Sequence, residues 1–272
     1  MRLRLSFIHF LNAFPLQWGF MQKIFPDAFE ISFDTPAVCA DRLASGRADV
    51  GLIPAIEYQR IDGLRVVPHA AIASRQEVDS VLFVSKKPFP EVKTVALDTG
   101  SRTSATLIRI LLRRKFKISP RYHSAHGDLE LMLSENDAAL IIGNPALLVP
   151  RGRYFVFDLV RQWVELTGKP FVFAFWAVRQ GVEMEAYVRY FLESKDYGLR
   201  HLNEIVSYST ARIPLSTAVV RDYLENKLNY DLDPENMEGL NLFYQMAHED
   251  GLIGRNEKLR LVESPMKTAD SG

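Results

Sequence analysis

The stretch TVALDTGSRTSATL, residues 94–107, gives the clearest indication of how this chain folds. Its apolar run ends at Asp98, and Gly100 then permits a sharp turn. Hydroxyl residues lead into apolar positions at helical spacing, which continue to Phe116 and close on positive charge. The pattern predicts a strand, a loop and a helix in succession.

The start of this predicted helix is suited to a small anion. Unpaired backbone N–H groups would lie there beside three hydroxyls and a guanidinium, from Ser101, Thr103, Ser104 and Arg102. The two common phosphate-binding fingerprints are missing from the sequence, so a carboxylate fits better than a nucleotide. The alternative is that Ser101 or Thr103 only caps the helix and that Arg102 only meets solvent.

The first 55 residues show the same alternation of strand and helix patterns. We predict strands at 3–10 and 30–33, a helix that begins at Pro36, and a strand at 48–55 that runs into a loop. A β-α-β-α-β order implies a parallel sheet with helices on its faces, and ligands lie beyond the carboxyl ends of such strands. Asn12 follows the first strand and is therefore placed at the predicted ligand edge.

A second unit begins at residue 94 and repeats this rhythm. Its strand at 138–142 ends in a turn that contains Gly143 and Asn144. This turn occupies the place that Pro54 occupies in the first unit. The repeat predicts two similar α/β lobes that face each other.

The predicted lobes are discontinuous in sequence. The segment KKPFP, residues 86–90, is the linker candidate, because its two prolines break helix and sheet. We assign 1–87 plus 179–272 to lobe I and 88–178 to lobe II. The apolar run 171–178 lacks alternation, so it is predicted to be a strand buried on both faces, which could cross back to the first lobe.

Composition excludes several classes of protein. With 47% hydrophobic residues and equal numbers of acidic and basic residues, 33 of each, the chain is typical of a soluble globular protein with no basic field for nucleic acid or acidic lipid. Cys39 is the only cysteine, which excludes an internal disulfide and a cysteine zinc cluster. We see no metal-ligand spacing, and we predict neither a metal nor a cofactor.

No apolar run approaches the ~20 residues of a membrane span, so no membrane association is predicted. The N-terminal apolar stretch is interrupted by His9 and Asn12, and no small-residue cleavage site follows. We therefore expect a cytoplasmic protein.

Four ordered blocks resemble the chorismate dehydratase family of menaquinone biosynthesis by the futalosine route. They are FLNAFPL (10–16), DTGSRTS (98–104), IIGNPAL (141–147) and TGKPFVFAFWA (167–177). The resemblance covers nearly the whole chain. It implies a two-lobed fold like that of type II periplasmic binding proteins, with a ligand cleft between the lobes. It also implies a hydro-lyase that removes water from chorismate, a dicarboxylate, to give 3-(1-carboxyvinyloxy)benzoate.

The resemblance also implies site residues. Asn12 and Ser80 are the expected catalytic residues. The expected substrate-binding residues are Ser101, Arg102, Thr103, Ser104, Gly143 and Asn144, the last standing where many relatives have Asp. The alternative for Asn12 is a helix cap, and for Ser80 a strand-end hydroxyl that bonds to backbone.

The reaction asks the protein mainly to orient the substrate and stabilise charge, because loss of the hydroxyl makes the ring aromatic. We hypothesise that the substrate's own enolpyruvyl carboxylate takes the ring proton, while Asn12 bonds the departing hydroxyl or the developing enolate. Glu57 and Asp98 are weaker acid or base candidates, and Phe173 and Trp176 could stack on the ring. Two other functions stay open: the sister enzyme that makes 1,4-dihydroxy-6-naphthoate, and a non-catalytic solute-binding protein.

Overall fold

A computed structural model describes residues 2–125, 127–150 and 152–263. The strands of this part of the chain are β1 (Leu3–Ile8), β2 (Phe29–Asp34), β3 (Val50–Pro54), β4 (Arg65–Ser74), β5 (Val81–Ser85), β6 (Thr94–Asp98), β7 (Arg121–Ala125), β8 (Ala138–Ile142), β9 (Phe155–Asp158) and β10 (Phe171–Val178). The helices are α1 (Phe14–Met21), α2 (Pro36–Ala44), α3 (Arg102–Arg114), α4 (Leu129–Glu135), α5 (Asn144–Leu147), α6 (Leu159–Thr167), α7 (Val188–Arg200), α8 (Leu202–Thr210), α9 (Thr217–Asp222) and α10 (Pro234–Glu249).

These described strands form two sheets of five strands each. The first sheet has the order β2-β1-β3-β10-β4, and the second has the order β7-β6-β8-β5-β9. In the first, β1 is parallel to β2 and β3, whereas β10 is antiparallel to β3 and β4. In the second, β6 is parallel to β7 and β8, whereas β5 is antiparallel to β8 and β9. Each sheet therefore joins a parallel half to an antiparallel half.

The predicted rhythm is confirmed in both halves of the chain. Residues 94–98 form a strand and residues 102–114 a helix, as the organising stretch predicts. The strand at 171–178 is buried on both faces and pairs in the first sheet, so it does cross back from the second unit.

The division of strands between the sheets differs from the predicted boundaries at 87/88 and 178/179. β5 was expected in lobe I but pairs in the second sheet, and β10 lies inside the expected lobe II but pairs in the first. The reason is that the proline segment is not a connection between lobes. It contains a 3₁₀ turn, Phe89–Glu91, that joins β5 to β6 within the second sheet. The chain crosses between the sheets at 75–80 and again between β9 and β10.

Candidate active site

A pocket lies between the two sheets, at the carboxyl ends of β1, β3, β6 and β8. This is the edge at which parallel strands of α/β proteins present ligand sites. Its lining consists of Ile8, Phe10, Asn12, Pro36, Pro54, Ile72, Ser80, Val81, Ser101, Thr103, Ser104, Ile142, Gly143, Phe173 and Ala174. None of these described lining residues carries an ionisable side chain. The pocket is an apolar slot with a few hydroxyls, one amide and a helix end.

The amino end of α3 supplies the polar wall. Ser101 is the N-cap residue, but its side chain makes no capping hydrogen bond, so its hydroxyl is not used by the helix. Ser101 and Ser104 are both buried and line the pocket. The backbone amides of the first helical turn have no acceptor within the helix. Together these groups can hold one carboxylate without a cationic side chain.

Asn12 reaches the pocket from the opposite sheet. It lies in a 3₁₀ turn, Leu11–Ala13, that follows β1. Its Oδ1 is buried and has no hydrogen-bond partner among the described residues. The capping alternative is wrong, because the N-cap of α1 is Ala13 and no side chain caps that helix. An unpartnered amide oxygen in an apolar slot is costly unless a ligand donates a hydrogen bond to it.

Ser80 and Gly143 meet on the floor of the pocket. The Gly143 amide donates to the Ser80 carbonyl oxygen at 2.8 Å, which ties the turn after β8 to the residue before β5. Gly143 has φ +67°, and a Cβ there would lie 3.3 Å from the Phe10 ring, so a larger residue would be strained. Gly143 therefore shapes the pocket, while its N–H group is already used by Ser80.

Thr103 lines the pocket, but its hydroxyl is occupied by the protein. It accepts from the Ile56 amide at 3.2 Å and donates to the Phe173 carbonyl oxygen at 3.2 Å. Both partners belong to the first-sheet half, whereas Thr103 belongs to α3. Both of these hydrogen bonds join the two halves of the molecule, and a bond from Thr103 to substrate stays a prediction.

Arg102 does not line the pocket. Its guanidinium points to the other side of the helix start, where it pairs with Glu57 at 2.9 Å and Asp41 at 2.8 Å. Burial alone would lower the pKa of Arg102, but the bonds to Asp41 and Glu57 outweigh it and raise this pKa. The structure therefore places Arg102 outside the pocket lining and beside two carboxylates, and substrate binding by Arg102 stays a prediction.

Asn144 also lies outside the pocket lining. Its Oδ1 accepts a hydrogen bond from the Leu11 amide at 3.3 Å. This bond joins the turn after β8 to the turn that carries Asn12. Asn144 therefore supports the turn that carries a pocket residue, and its own contact with substrate stays a prediction.

Among the weaker candidates, Phe173 lines the pocket, whereas Glu57 and Trp176 do not. Glu57 is buried and paired with Arg60 and Arg102, so it is not a free acid or base. Phe173 lines the pocket and can contact a ring, whereas Trp176 packs between Phe7 and Phe191 in the core.

A model of the family described as menaquinone biosynthesis matches residues 3–249. The chain belongs to the menaquinone biosynthesis family. Among curated members, a chorismate dehydratase of Thermus thermophilus is 31% identical over 236 residues, which cover 80% of this chain and 86% of that protein.

Solved structures give the fold of this family member a wider context. A protein of Archaeoglobus fulgidus has a TM-score of 0.80 at 17% identity, covering 93% of this chain and 98% of that one. The periplasmic aliphatic sulphonate binding protein SsuA of Escherichia coli has a TM-score of 0.61 at 16% identity, covering 100% and 97%. The predicted two-lobed, periplasmic-binding-protein-like fold is thereby confirmed.

In this menaquinone biosynthesis family member, sequence reasoning missed two contributors to the site. Phe10 packs against Gly143 and lines the pocket, whereas the sequence indicates only that it ends a strand and begins a family block. Tyr223 is buried, and its hydroxyl lies 2.7 Å from the Ser80 hydroxyl. No local pattern marks Tyr223, because the two residues are separated by 143 positions.

Among the residues that the structure describes, no cluster of three His, Cys, Asp or Glu side chains is placed to hold a metal ion. Likewise, no helix of the described chain is long and apolar enough to cross a membrane.

Proposed function

We propose that this protein is a chorismate dehydratase, a hydro-lyase that converts chorismate to 3-(1-carboxyvinyloxy)benzoate in menaquinone biosynthesis. The observation that carries the proposal is the convergence of Asn12, Ser80 and the start of α3 on one apolar pocket. The relative named chorismate dehydratase supports it across most of the chain.

The substrate's two carboxylates have different roles in this proposal. One lies against the start of α3, where Ser101, Ser104 and the free backbone amides act as donors. The ring lies against Phe10, Phe173 and aliphatic neighbours. The absence of an ionisable side chain among the described lining residues favours the enolpyruvyl carboxylate of the substrate as the base.

The proposed step balances within the substrate. The C3–H bond breaks, its proton passes to the enolpyruvyl carboxylate, and its electron pair enters the ring. The bond from C4 to the hydroxyl breaks, and the departing oxygen leaves as water once it has gained that proton. The Nδ2 group of Asn12 donates to the oxygen on which charge develops, and the Ser80 hydroxyl donates to a second substrate oxygen.

The first test is incubation of the purified protein with chorismate while an aromatic product is followed by absorbance and mass spectrometry. We expect loss of one water. A solute-binding protein would leave chorismate unchanged, and the sister enzyme of the pathway would not dehydrate it.

A second test addresses the base. Chorismate with its enolpyruvyl carboxylate converted to an amide should compete for binding but lose no water. Turnover of the amide at the normal rate would rule out a substrate-assisted step. Cytoplasmic localisation and the absence of a nucleic-acid partner stay predictions.

A further inference from the structure

Ser80 is held by one side chain that does not itself reach the pocket. Ser80 is 1% exposed and directly precedes β5. The Tyr223 hydroxyl donates to its Oγ at 2.7 Å. Tyr223 is the first residue of a π-helical turn, Tyr223–Lys227, that continues α9. Such turns within helices occur frequently at functional sites.

The proton arrangement of this pair follows from hydroxyl chemistry. Each hydroxyl has one proton to donate and lone pairs to accept. A phenol is more acidic than an aliphatic alcohol, so Tyr223 is the better donor and Ser80 the better acceptor. When Tyr223 donates to Ser80, the Ser80 proton is directed to a different acceptor. A substrate oxygen in the pocket would be that acceptor.

The surroundings keep Tyr223 protonated. Burial raises the pKa of the Tyr223 hydroxyl above its ordinary value; the bond to Ser80 lowers it by less, and the charges of Asp158 and Asp79 raise it further. The phenol therefore keeps the proton that it donates to Ser80 around neutral pH. Two hydroxyls in series also polarise each other, which strengthens the terminal donor.

A neighbouring tyrosine provides a natural contrast. The Tyr230 hydroxyl is also buried but has no hydrogen-bond partner among the described residues. A buried tyrosine hydroxyl in this region is therefore not always hydrogen-bonded, and the bond from Tyr223 to Ser80 is a specific feature.

We propose that Tyr223 is a positioning residue which, by donating to Ser80, fixes the Ser80 hydroxyl as a donor to an oxygen of the bound substrate. This inference rests on the proposed dehydratase function. It assigns Tyr223 no contact with substrate, so its effect must pass through Ser80.

The experiment compares wild-type protein with Tyr223→Phe, Ser80→Ala and the double variant in the chorismate assay, and Tyr230→Phe is the matched control. We expect kcat of Tyr223→Phe to fall about threefold to tenfold, the scale of one hydrogen bond, with KM changed less than about twofold. Tyr230→Phe should match the wild type. In the Ser80→Ala background, Tyr223→Phe should have no further effect on kcat.

The outcomes distinguish a failure of the Tyr223 inference from a failure of the proposed function. An active wild type with an equally active Tyr223→Phe overturns this inference alone. So does a Tyr223→Phe effect that is the same with and without Ser80, since it would show a structural role. A wild type that forms no aromatic product overturns the proposed function and this inference with it.

Discussion

The Arg102 guanidinium lies 2.9 Å from the Glu57 carboxylate, and this ion pair joins the two halves of the molecule. Arg102 begins α3, which follows the second-sheet strand β6, whereas Glu57 lies in a 3₁₀ turn after β3 of the first sheet. Thr103 and Asn144 also make hydrogen bonds between the halves. The residues expected to bind substrate thus include three that hold the cleft together.

Removal of this ion pair should weaken substrate binding indirectly, by making the closed form of the cleft less stable. We expect Arg102→Ala to raise KM about tenfold, because a closed form that is less populated binds ligand with proportionally lower apparent affinity. Glu57→Gln should also raise KM, because it weakens the same ion pair. Glu57 does not line the pocket, so the loss of a direct substrate contact would not explain this rise. Steady-state kinetics of both variants measure this, with Arg153→Ala, which removes an exposed ion pair to Glu130 within the second-sheet half, as the control.

A direct contact would give a different pair of results. If Arg102 bound the substrate carboxylate itself, Arg102→Ala alone would raise KM, and Glu57→Gln would leave it unchanged.

Asn12→Ala should reduce turnover far more than stability. Deletion of one preorganised donor to developing charge costs about a hundredfold to a thousandfold in kcat. Asn12 Oδ1 has no partner among the described residues, so the melting temperature should change little. Asn144→Ala is the comparison, because it removes the support of the same turn and should cost about 1 kcal/mol of stability with a smaller loss of kcat. A destabilised but fully active Asn12→Ala protein would contradict the catalytic role.

Residues of both halves line the pocket, so a substrate that contacts both walls has to enter between them. We therefore expect the protein to open for entry and to close again on ligand. Small-angle scattering should show a smaller radius of gyration with saturating product than without it. An unchanged radius would indicate a rigid cleft in which only side chains move.

Much of the fold could be predicted from local patterns. The spacing of the apolar residues and the turn at Gly100 place β6 and α3 correctly, because both patterns depend on residues that are close in sequence. Sheet membership depends on pairing between distant segments. β5 and β10 are both uniformly buried apolar strands, and nothing within either one indicates which sheet accepts it.

The candidate site, too, is only partly predictable from local sequence. The positions of Asn12, Ser101 and Ser104 follow from the rule that ligands lie beyond parallel strand ends. The direction of the Arg102 side chain does not, because its partners are 45 and 61 residues away in the chain. An arginine beside a helix start has the same local sequence whether it faces a ligand or a carboxylate of the protein.

Acid should destabilise the protein partly through Asp49. Burial alone would raise the pKa of Asp49, but hydrogen bonds from Arg4 and Arg179 lower it to about 2. Because this pKa lies below the unfolded value of ~4, the ionised carboxylate stabilises the fold above pH ~4. That stabilisation is lost as the pH falls from ~4 towards 2.

Asp49→Asn should therefore lower the free energy of unfolding at pH 6 and flatten its fall between pH 4 and 2, as measured by urea denaturation across this range. Asp137→Asn is the matched variant in the other half of the molecule, since the hydrogen bonds from Lys87 and from the Lys93 amide lower the pKa of Asp137 to about 2. The two carboxylates share no partner, so the double variant should show the sum of the two effects. An Asp49→Asn protein whose unfolding free energy falls as steeply as that of the wild type would show that Asp49 does not contribute to acid sensitivity.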